Sequence, residues 1–439
     1  MDKVIIEKLV YGGQGLAHLN GKAIFVWNAL PGEEVEVEYI KNKKNFGEAV
    51  TTKILKSSPE RIEPKDVHFL STSPWQILRE DKEDEYKRKI AIETYQRIGG
   101  ETFRNANPDI ISDIHSFYHY RNKMEFGFVQ NSSSLPKGER EDVAVNTSPI
   151  SLAFFKRGKK MRTPASGSSL AEPIINKTAQ HILAWINTHK IPRQSLKSLI
   201  IRSDGRGKSI AVLFLIDRIA FSSYPSMDKN LVGFQLYYST PKSSASIPTK
   251  LLYSSGQDYL ITTLNHFQLK FGMLNFFQIN IPIFEKVLQD ISQFIRREYP
   301  LVDYYSGVGS IGLSISQGKI PCILVDDNKE AIRYAKQNIE TNNLKKNKAY
   351  CAPAEKTLEY VSPDTTVIVD PPRAGLHKKM VERLLEVTPP QIIYLSCDIA
   401  TQARDVKLLS SKYNMTFHRL YNFFPRTPHI EGLVLLEKK

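Results

Sequence analysis

Along residues 1–57, apolar and polar positions alternate in short runs broken by turn-forming residues. Val4–Val10 ends at Tyr11-Gly12-Gly13-Gln14-Gly15, Ala23–Trp27 ends near Pro31-Gly32, and Glu33–Tyr39 alternates Val and Glu. Asn42-Lys43-Lys44-Asn45 reads as a turn, after which Phe46–Leu55 returns as a strand. A period of two marks half-buried strands, and short strands with Gly/Pro turns at this spacing predict a small OB-like β-barrel. Residues 58–80 are polar and punctuated by proline, which reads as a linker. Glu80 to Ile98 then carries Lys, Glu, Ala and Ile at helical spacing and stops at Gly99-Gly100, a C-terminal helix signal.

From about 108 to 265 the pattern predicts strands at Lys123–Val129, Leu199–Arg202, Ile210–Ile216 and Leu231–Tyr238. One helix is expected there, Glu172–Thr188, with Pro173 in its first turn. Beyond about 280 strands and helices alternate. Strands are expected at Leu301–Tyr305, Cys322–Val325, Thr366–Val369, Gln391–Leu395 and Leu433–Glu437. Helices are expected at Val287–Arg297, Lys329–Asn342, Lys378–Val387 and Ala400–Tyr413, with a further helix starting in Gly309–Gln317. Such alternation predicts an α/β, Rossmann-like sheet whose functional residues sit at the carboxyl ends of its strands. The chain thus reads as three domains: a β-barrel over 1–57, a central α/β domain over 58–265, and the doubly wound domain over 266–439.

Composition sharpens this picture. With 41% hydrophobic and 24% charged residues, the 439-residue chain is not a disordered one. Its 60 Lys and Arg against 46 Asp and Glu leave a formal charge of +14, a surplus typical of proteins that meet a polyphosphate. Candidate phosphate contacts are Lys41, Lys43, Lys44 and the densest basic cluster, Lys156 to Arg162. Such contacts predict polyanion binding that weakens steeply with salt. Only Cys322, Cys351 and Cys397 occur, with no CxxC pair, which excludes a disulfide framework and a zinc scaffold. Met1-Asp2-Lys3-Val4 does not begin a signal peptide, and the longest apolar stretch, Ser209 to Phe221, is broken by Asp217 and Arg218. A soluble, cytoplasmic protein without membrane contact is expected.

Three strand ends carry chemistry. The first runs into Asp303-Tyr304-Tyr305-Ser306-Gly307-Val308-Gly309-Ser310-Ile311-Gly312, in which Gly307, Gly309 and Gly312 form a GxGxxG. Asp326 ends the next strand, where an acid accepts hydrogen bonds from ribose hydroxyls. This pair fits the adenosine of NAD and of S-adenosylmethionine equally. The element Asp370-Pro371-Pro372-Arg373-Ala374-Gly375 then sets a carboxylate and a rigid double proline where substrate should lie. Enzymes methylating base amino groups carry an aromatic residue at the position of Arg373, so that reaction is disfavoured; a carboxylate suits the N3–H edge of uracil. A nicotinamide oxidoreductase has no evident use for this element. Cys397 falls between a strand and a helix, where the positive end of the helix dipole is expected to favour the thiolate. Cys322 and Cys351 read as core residues.

These residues, with their order and spacing, resemble the RNA 5-methyluridine (uracil-C5) methyltransferase family. The resemblance over 266–439 rests on Phe276-Phe277-Gln278-Ile279-Asn280, the glycine loop, Asp370 to Leu376 and Ser396-Cys397. It also rests on Phe424-Pro425-Arg426-Thr427-Pro428-His429-Ile430-Glu431. His119-Tyr120-Arg121-Asn122-Lys123-Met124-Glu125-Phe126 resembles the family's central-domain signature, and residues 1–57 resemble the TRAM domain, an RNA-binding barrel. The resemblance implies S-adenosylmethionine as cofactor, held by Gln278, Tyr305, Asp326 and Asp370, with Cys397 as nucleophile toward uracil C6 and Glu431 as base. It implies an RNA partner, ribosomal RNA ahead of transfer RNA, and a monomer.

Four departures stand out. Many relatives hold an iron–sulfur cluster on four cysteines after the barrel; Val67 to Trp75 has none, so no cluster is expected. Asp398 and Ile399 stand where Asn and Pro are usual, and the carboxylate opposes a thiolate at Cys397 while being able to cap the next helix. Tyr304-Tyr305-Ser306 lacks a cysteine common before the glycines. Pro353 stands where an acid or amide often meets the adenine.

Overall fold

The computed structural model describes residues 2–113, 116–130, 148–159, 161–243 and 245–439; Lys160 of the basic cluster lies outside them. The described chain divides into two compact units that interleave along the sequence. One comprises Met1–Glu63, Pro74–Phe117 and Ile261–Lys439, the other Pro64–Ser73 and Tyr118–Leu260. Residues 58–265 therefore supply parts of both.

In the first unit the N-terminal strands form a six-stranded sheet. Its order is Asp2–Ile5, Glu34–Asn42, Phe46–Lys56, Lys22–Trp27, Gly15–Leu19 and Lys8–Leu9. The alternation of Glu and Val at 34–37 turns Val35 and Val37 inward against Val4, Ile24 and Ala49. Lys43 and Lys44 are exposed in the turn joining the two longest strands, and Lys41 lies over the Phe46 ring at 5.6 Å.

The expected linker is an ordered support. Trp75, Ile77 and Leu78 are buried, too apolar to stay in water. Arg61 forks onto the fully buried Glu33 carboxylate, Nε to Oε1 at 2.6 Å and Nη2 to Oε2 at 2.8 Å. The helix Glu80–Gly99 follows and packs on the helix Ile399–Leu409, where the buried Tyr95 hydroxyl donates to Gln402 at 2.5 Å.

The large sheet of this unit runs Asn347–Cys351, Cys322–Asp326, Leu301–Tyr304, Thr366–Val369, Gln391–Ser396, Glu431–Lys438, Tyr413–Tyr421 and Ile110–Ile111. The first five strands are parallel, and Glu431–Lys438 runs antiparallel to both of its neighbours. The central strands are buried on both faces, as their unbroken apolar runs require. Two helix ends differ from expectation. Asn280 caps a helix at Ile281–Phe294, with Pro282 in its first turn, earlier than Val287. The helix expected to reach Tyr413 ends at Leu409, and Tyr413 opens a strand. A bulge between Met415 and Phe417 interrupts that strand's alternation and hides its period.

The second unit holds a seven-stranded sheet. Its order is Arg162–Ala165, Ile150–Phe155, Lys123–Gln130, Leu196–Ser203, Ser209–Leu215, Leu231–Tyr238 and Lys250–Gly256. The helix Pro173–Thr188 buries Ile175, Ala179, Ile182 and Ile186 in the same core. In the basic cluster Lys156 and Lys159 are exposed, whereas Arg157 donates to the Leu70 carbonyl at 2.6 Å and Arg162 to that of Phe128 at 2.9 Å. Among the described residues no helix is long and apolar enough to cross a membrane.

Candidate active site

Strand register lines up the functional residues. Tyr304 pairs with both Val325 and Val369, so Tyr305, Asp326 and Asp370 emerge level with one another at three adjacent strand ends. Val369 pairs with Tyr394, which puts Cys397 two positions beyond the level of Asp370 on the next strand. Ser396 pairs with Gly432 on the antiparallel neighbour, so Cys397 and Glu431 come out opposite each other. The nucleophile candidate and the base candidate are thus joined by one ladder although they are far apart in the chain.

The glycine loop is built for close approach. Gly307 and Gly309 both take positive φ, 55° and 87°, and the Gly307 N–H donates to Asp326 Oδ2 at 2.8 Å. Asp326 Oδ1 accepts the Asn328 N–H at 2.9 Å, so this acid shapes the loop as well as facing it. A Cβ on Gly307 would meet only the Phe276 carbonyl, at 3.8 Å. That open cradle, with the Phe276–Gln278 segment beside it and an acid at the next strand end, fits an adenosyl cofactor. Gln278 is buried, while the Phe276 ring just before it is 66% exposed. Tyr305 itself has φ of 62°, and its half-buried hydroxyl, pushed up to about 12 mainly by burial, takes a hydrogen bond from the His377 backbone.

Electrostatics at the Cys397 end differ from the helix-dipole expectation. The thiol is pushed up to about 11, first by burial, then by the nearby Glu431 and Asp370 charges; Arg373 pulls the other way and Asp398 adds to the rise. The helix end is already taken: Asp398 Oδ1 accepts the N–H groups of Ala400 at 3.1 Å and Thr401 at 3.0 Å. The free N–H groups that would favour a thiolate thus serve a carboxylate instead. Burial likewise pushes Asp370 up to about 7, and it lifts Glu431 well above the usual carboxylate range with help from Asp370. Cys351, expected in the core, is exposed at the end of an edge strand, while Cys322 is buried.

Sequence reasoning missed the supports. Asp405, buried on the helix Ile399–Leu409, accepts the Leu376 N–H and the Tyr394 hydroxyl, each at 2.8 Å, and so anchors the Asp370–Leu376 loop. Gln402, one turn earlier, donates to the carbonyls of Tyr394 and Gly432 at 2.8 and 2.9 Å. An acid on the apolar stripe of that helix was the available signal. The Phe424–Glu431 segment is pinned by Arg426, which is fully buried and ion-paired to Glu83 at 3.0 Å.

Residues 358–439 match the family model described as tRNA (Uracil-5-)-methyltransferase, and residues 3–52 match that of the TRAM domain. The chain is 26% identical to an uncharacterized RNA methyltransferase of Fusobacterium nucleatum, covering 100% of this chain and 96% of the relative. It is 29% identical to another from Bacteroides thetaiotaomicron, covering 97% and 99%. Its fold matches the crystal structure of Pyrococcus abyssi tRNA (uracil-54, C5)-methyltransferase in complex with S-adenosyl-L-homocysteine. That match has a TM-score of 0.77 at 23% identity, covering 99% of this chain and 100% of that one. A Rossmann-like sheet with a glycine loop, beside an N-terminal TRAM domain, defines an S-adenosylmethionine-dependent RNA methyltransferase. Within that class the chain is similar to the RNA (uracil-5-)-methyltransferases, whose family model it matches over residues 358–439.

Proposed function

We propose that the protein methylates uracil C5 in RNA through a covalent adduct between Cys397 and uracil C6, and that ribosomal RNA is its substrate. The observation that carries the reading is the ladder setting Cys397 opposite Glu431, with Asp370 on the adjoining strand end. Gln278, Tyr305, Asp326 and Asp370 would hold S-adenosylmethionine, which supplies an electrophilic methyl group. Asp370 also turns toward the N3–H edge of the base.

Uracil C5 is a weak nucleophile. Addition of the Cys397 thiolate to C6 moves the C5–C6 electron pair into an enolate and makes C5 electron-rich. After C5 is methylated, Glu431 takes the C5 proton. The released pair re-forms the C5–C6 double bond as the Sγ–C6 bond breaks, and the thiolate leaves. Burial and the nearby Asp370 charge raise the proton affinity of Glu431, which strengthens it as a base once it is ionised. Exposing C5 and C6 requires an unstacked base, which favours RNA loops over paired segments. The basic turn Lys41–Lys44 and the exposed Lys156 and Lys159 would meet phosphates.

Tritium release from 5-tritiated uridine RNA tests the chemistry. Cys397→Ala should release none while still binding RNA; undiminished release would remove the nucleophile assignment. Glu431→Gln should accumulate a protein–RNA adduct that survives denaturation, and normal turnover without an adduct would remove the base. A transfer RNA substrate is the second reading, favoured by the reaction named for the Pyrococcus abyssi enzyme; separate assays on 23S rRNA and tRNA fractions decide between them.

A further inference from the structure

The strands Ile150–Phe155 and Arg162–Ala165 pair antiparallel around the basic cluster. Leu152 and Phe154 turn toward the core of the second unit, so alternation turns Phe155 to the opposite face, where its ring is 60% exposed. Its cross-strand partner is Arg162, whose guanidinium carbon lies 4.4 Å from the centre of that ring. A Cβ on Gly127 would come within 2.6 Å of Arg162 Nη1, so the bare glycine makes room for the guanidinium.

A second cation meets the first. The Phe128 carbonyl accepts Arg162 Nη1 at 2.9 Å and Arg193 Nε at 2.7 Å, so two half-buried guanidiniums converge on one oxygen. Arg193 Nη1 donates also to the Leu196 carbonyl at 3.0 Å. Among the described residues both arginines bond only to carbonyls, and neither pairs with a carboxylate. Burial draws down the proton affinity of each, and the Arg193 charge adds to the effect at Arg162. Holding like charges together away from water costs stability until an anion joins them. A single neutral donor would serve the carbonyl, whereas two guanidiniums leave further N–H groups in the fork geometry that suits phosphate.

We propose that Arg162 and Arg193 together grip one phosphate of a single-stranded segment of the RNA, and that the open side of the Phe155 ring stacks on the neighbouring base. Arg162 lies over one side of the ring and steadies it for stacking on the other. The exposed Lys156 and Lys159 add charge of the same sign close by in the chain. A duplex hides the faces of its bases, so this site selects the unpaired RNA that a reaction at C5 and C6 also needs.

The inference rests on RNA being the substrate. Its test is the affinity of the full chain for a fluorescently labelled oligouridylate, read by anisotropy across a salt series, with the same strand paired to oligoadenylate alongside. Arg162→Gln combined with Arg193→Gln keeps donors for the Phe128 carbonyl and removes both charges. That variant should flatten the slope of log K against log salt by about 0.7, the share of one phosphate on a single strand. Phe155→Ala should weaken binding of the single strand about tenfold with the parental salt slope and the parental duplex affinity, and Phe155→Trp should restore it. A parental slope in the double variant would overturn the phosphate grip. Parental affinity in Phe155→Ala, or an equal loss on the duplex, would overturn the stacking. If the parent chain binds neither RNA, the substrate reading itself fails; if it binds and methylates RNA while these variants match it, only this site fails.

Discussion

Glu83 is the hub of a buried ion network, and removing it should cost more than any surface charge. Its Oε1 accepts Lys87 Nζ, Asn422 Nδ2 and the Arg426 N–H, each at 3.0 Å, and its Oε2 accepts the Arg426 guanidinium at 3.0 Å. Glu83, Lys87 and Arg426 are all shut from solvent. Arg426 also donates to the carbonyls of Trp75 and Leu78, and Lys87 to that of Phe424 at 3.0 Å. Glu83→Ala would leave two buried cations without their carboxylate. Breaking a buried pair from one side costs about 3–5 kcal/mol. At the sensitivity of a domain of 150–250 residues, that is a melting point lower by roughly 6–20 °C. Scanning calorimetry, following the transition of the unit that holds residues 261–439, reads the shift. Because Arg426 pins the segment leading to Glu431, methylation should also fall at temperatures where the variant is still folded. A melting point within about 2 °C of the parent, a change of roughly 1 kcal/mol or less, would refute the reasoning. The carboxylate would then be no more than an offset to its own desolvation.

Two further outcomes follow from the same geometry. His418 lies against Tyr95 and Phe103, with ring centroids 4.5 and 5.5 Å away, neither ring nitrogen has a partner, and burial pushes its pKa down to about 4. The unfolded chain therefore binds the proton first as pH falls; the stability this neutral ring contributes is whole above about pH 6.5 and lost toward pH 4, up to about 3 kcal/mol. Urea midpoints at pH 7 and pH 5 should converge in His418→Phe, and an unchanged pH slope would acquit the ring. A Cβ on Gly312 would lie 2.6 Å from Leu324, 2.8 Å from Asp303 and 2.9 Å from Cys322. Gly312→Ala should lower stability by about 1–3 kcal/mol through overpacking and weaken S-adenosylmethionine binding measured by calorimetry. Binding at parental strength would show that the loop does not need this close approach.

Local information was enough for much of the frame. Unbroken apolar runs mark the strands Thr366–Val369 and Gln391–Ser396, whose ends present Asp370 and Cys397, and the glycines mark the turn after Leu301–Tyr304. Those signals depend on neighbours in the chain, so they survive without knowledge of the fold. Where a local signal was interrupted, as at the bulge in Tyr413–Tyr421, the strand went unread and the preceding helix was carried on to Tyr413. The standing of Asp398 is divided in the same way. Its place before a helix made it a visible cap, but only packing sets it beside Cys397 together with Glu431 and Asp370. The Glu83–Arg426 pair, the Asp405 anchor and the high proton affinity of Cys397 are likewise products of assembly. Charge strength and burial are properties of what surrounds a group in space, and the chain states only what surrounds it in order.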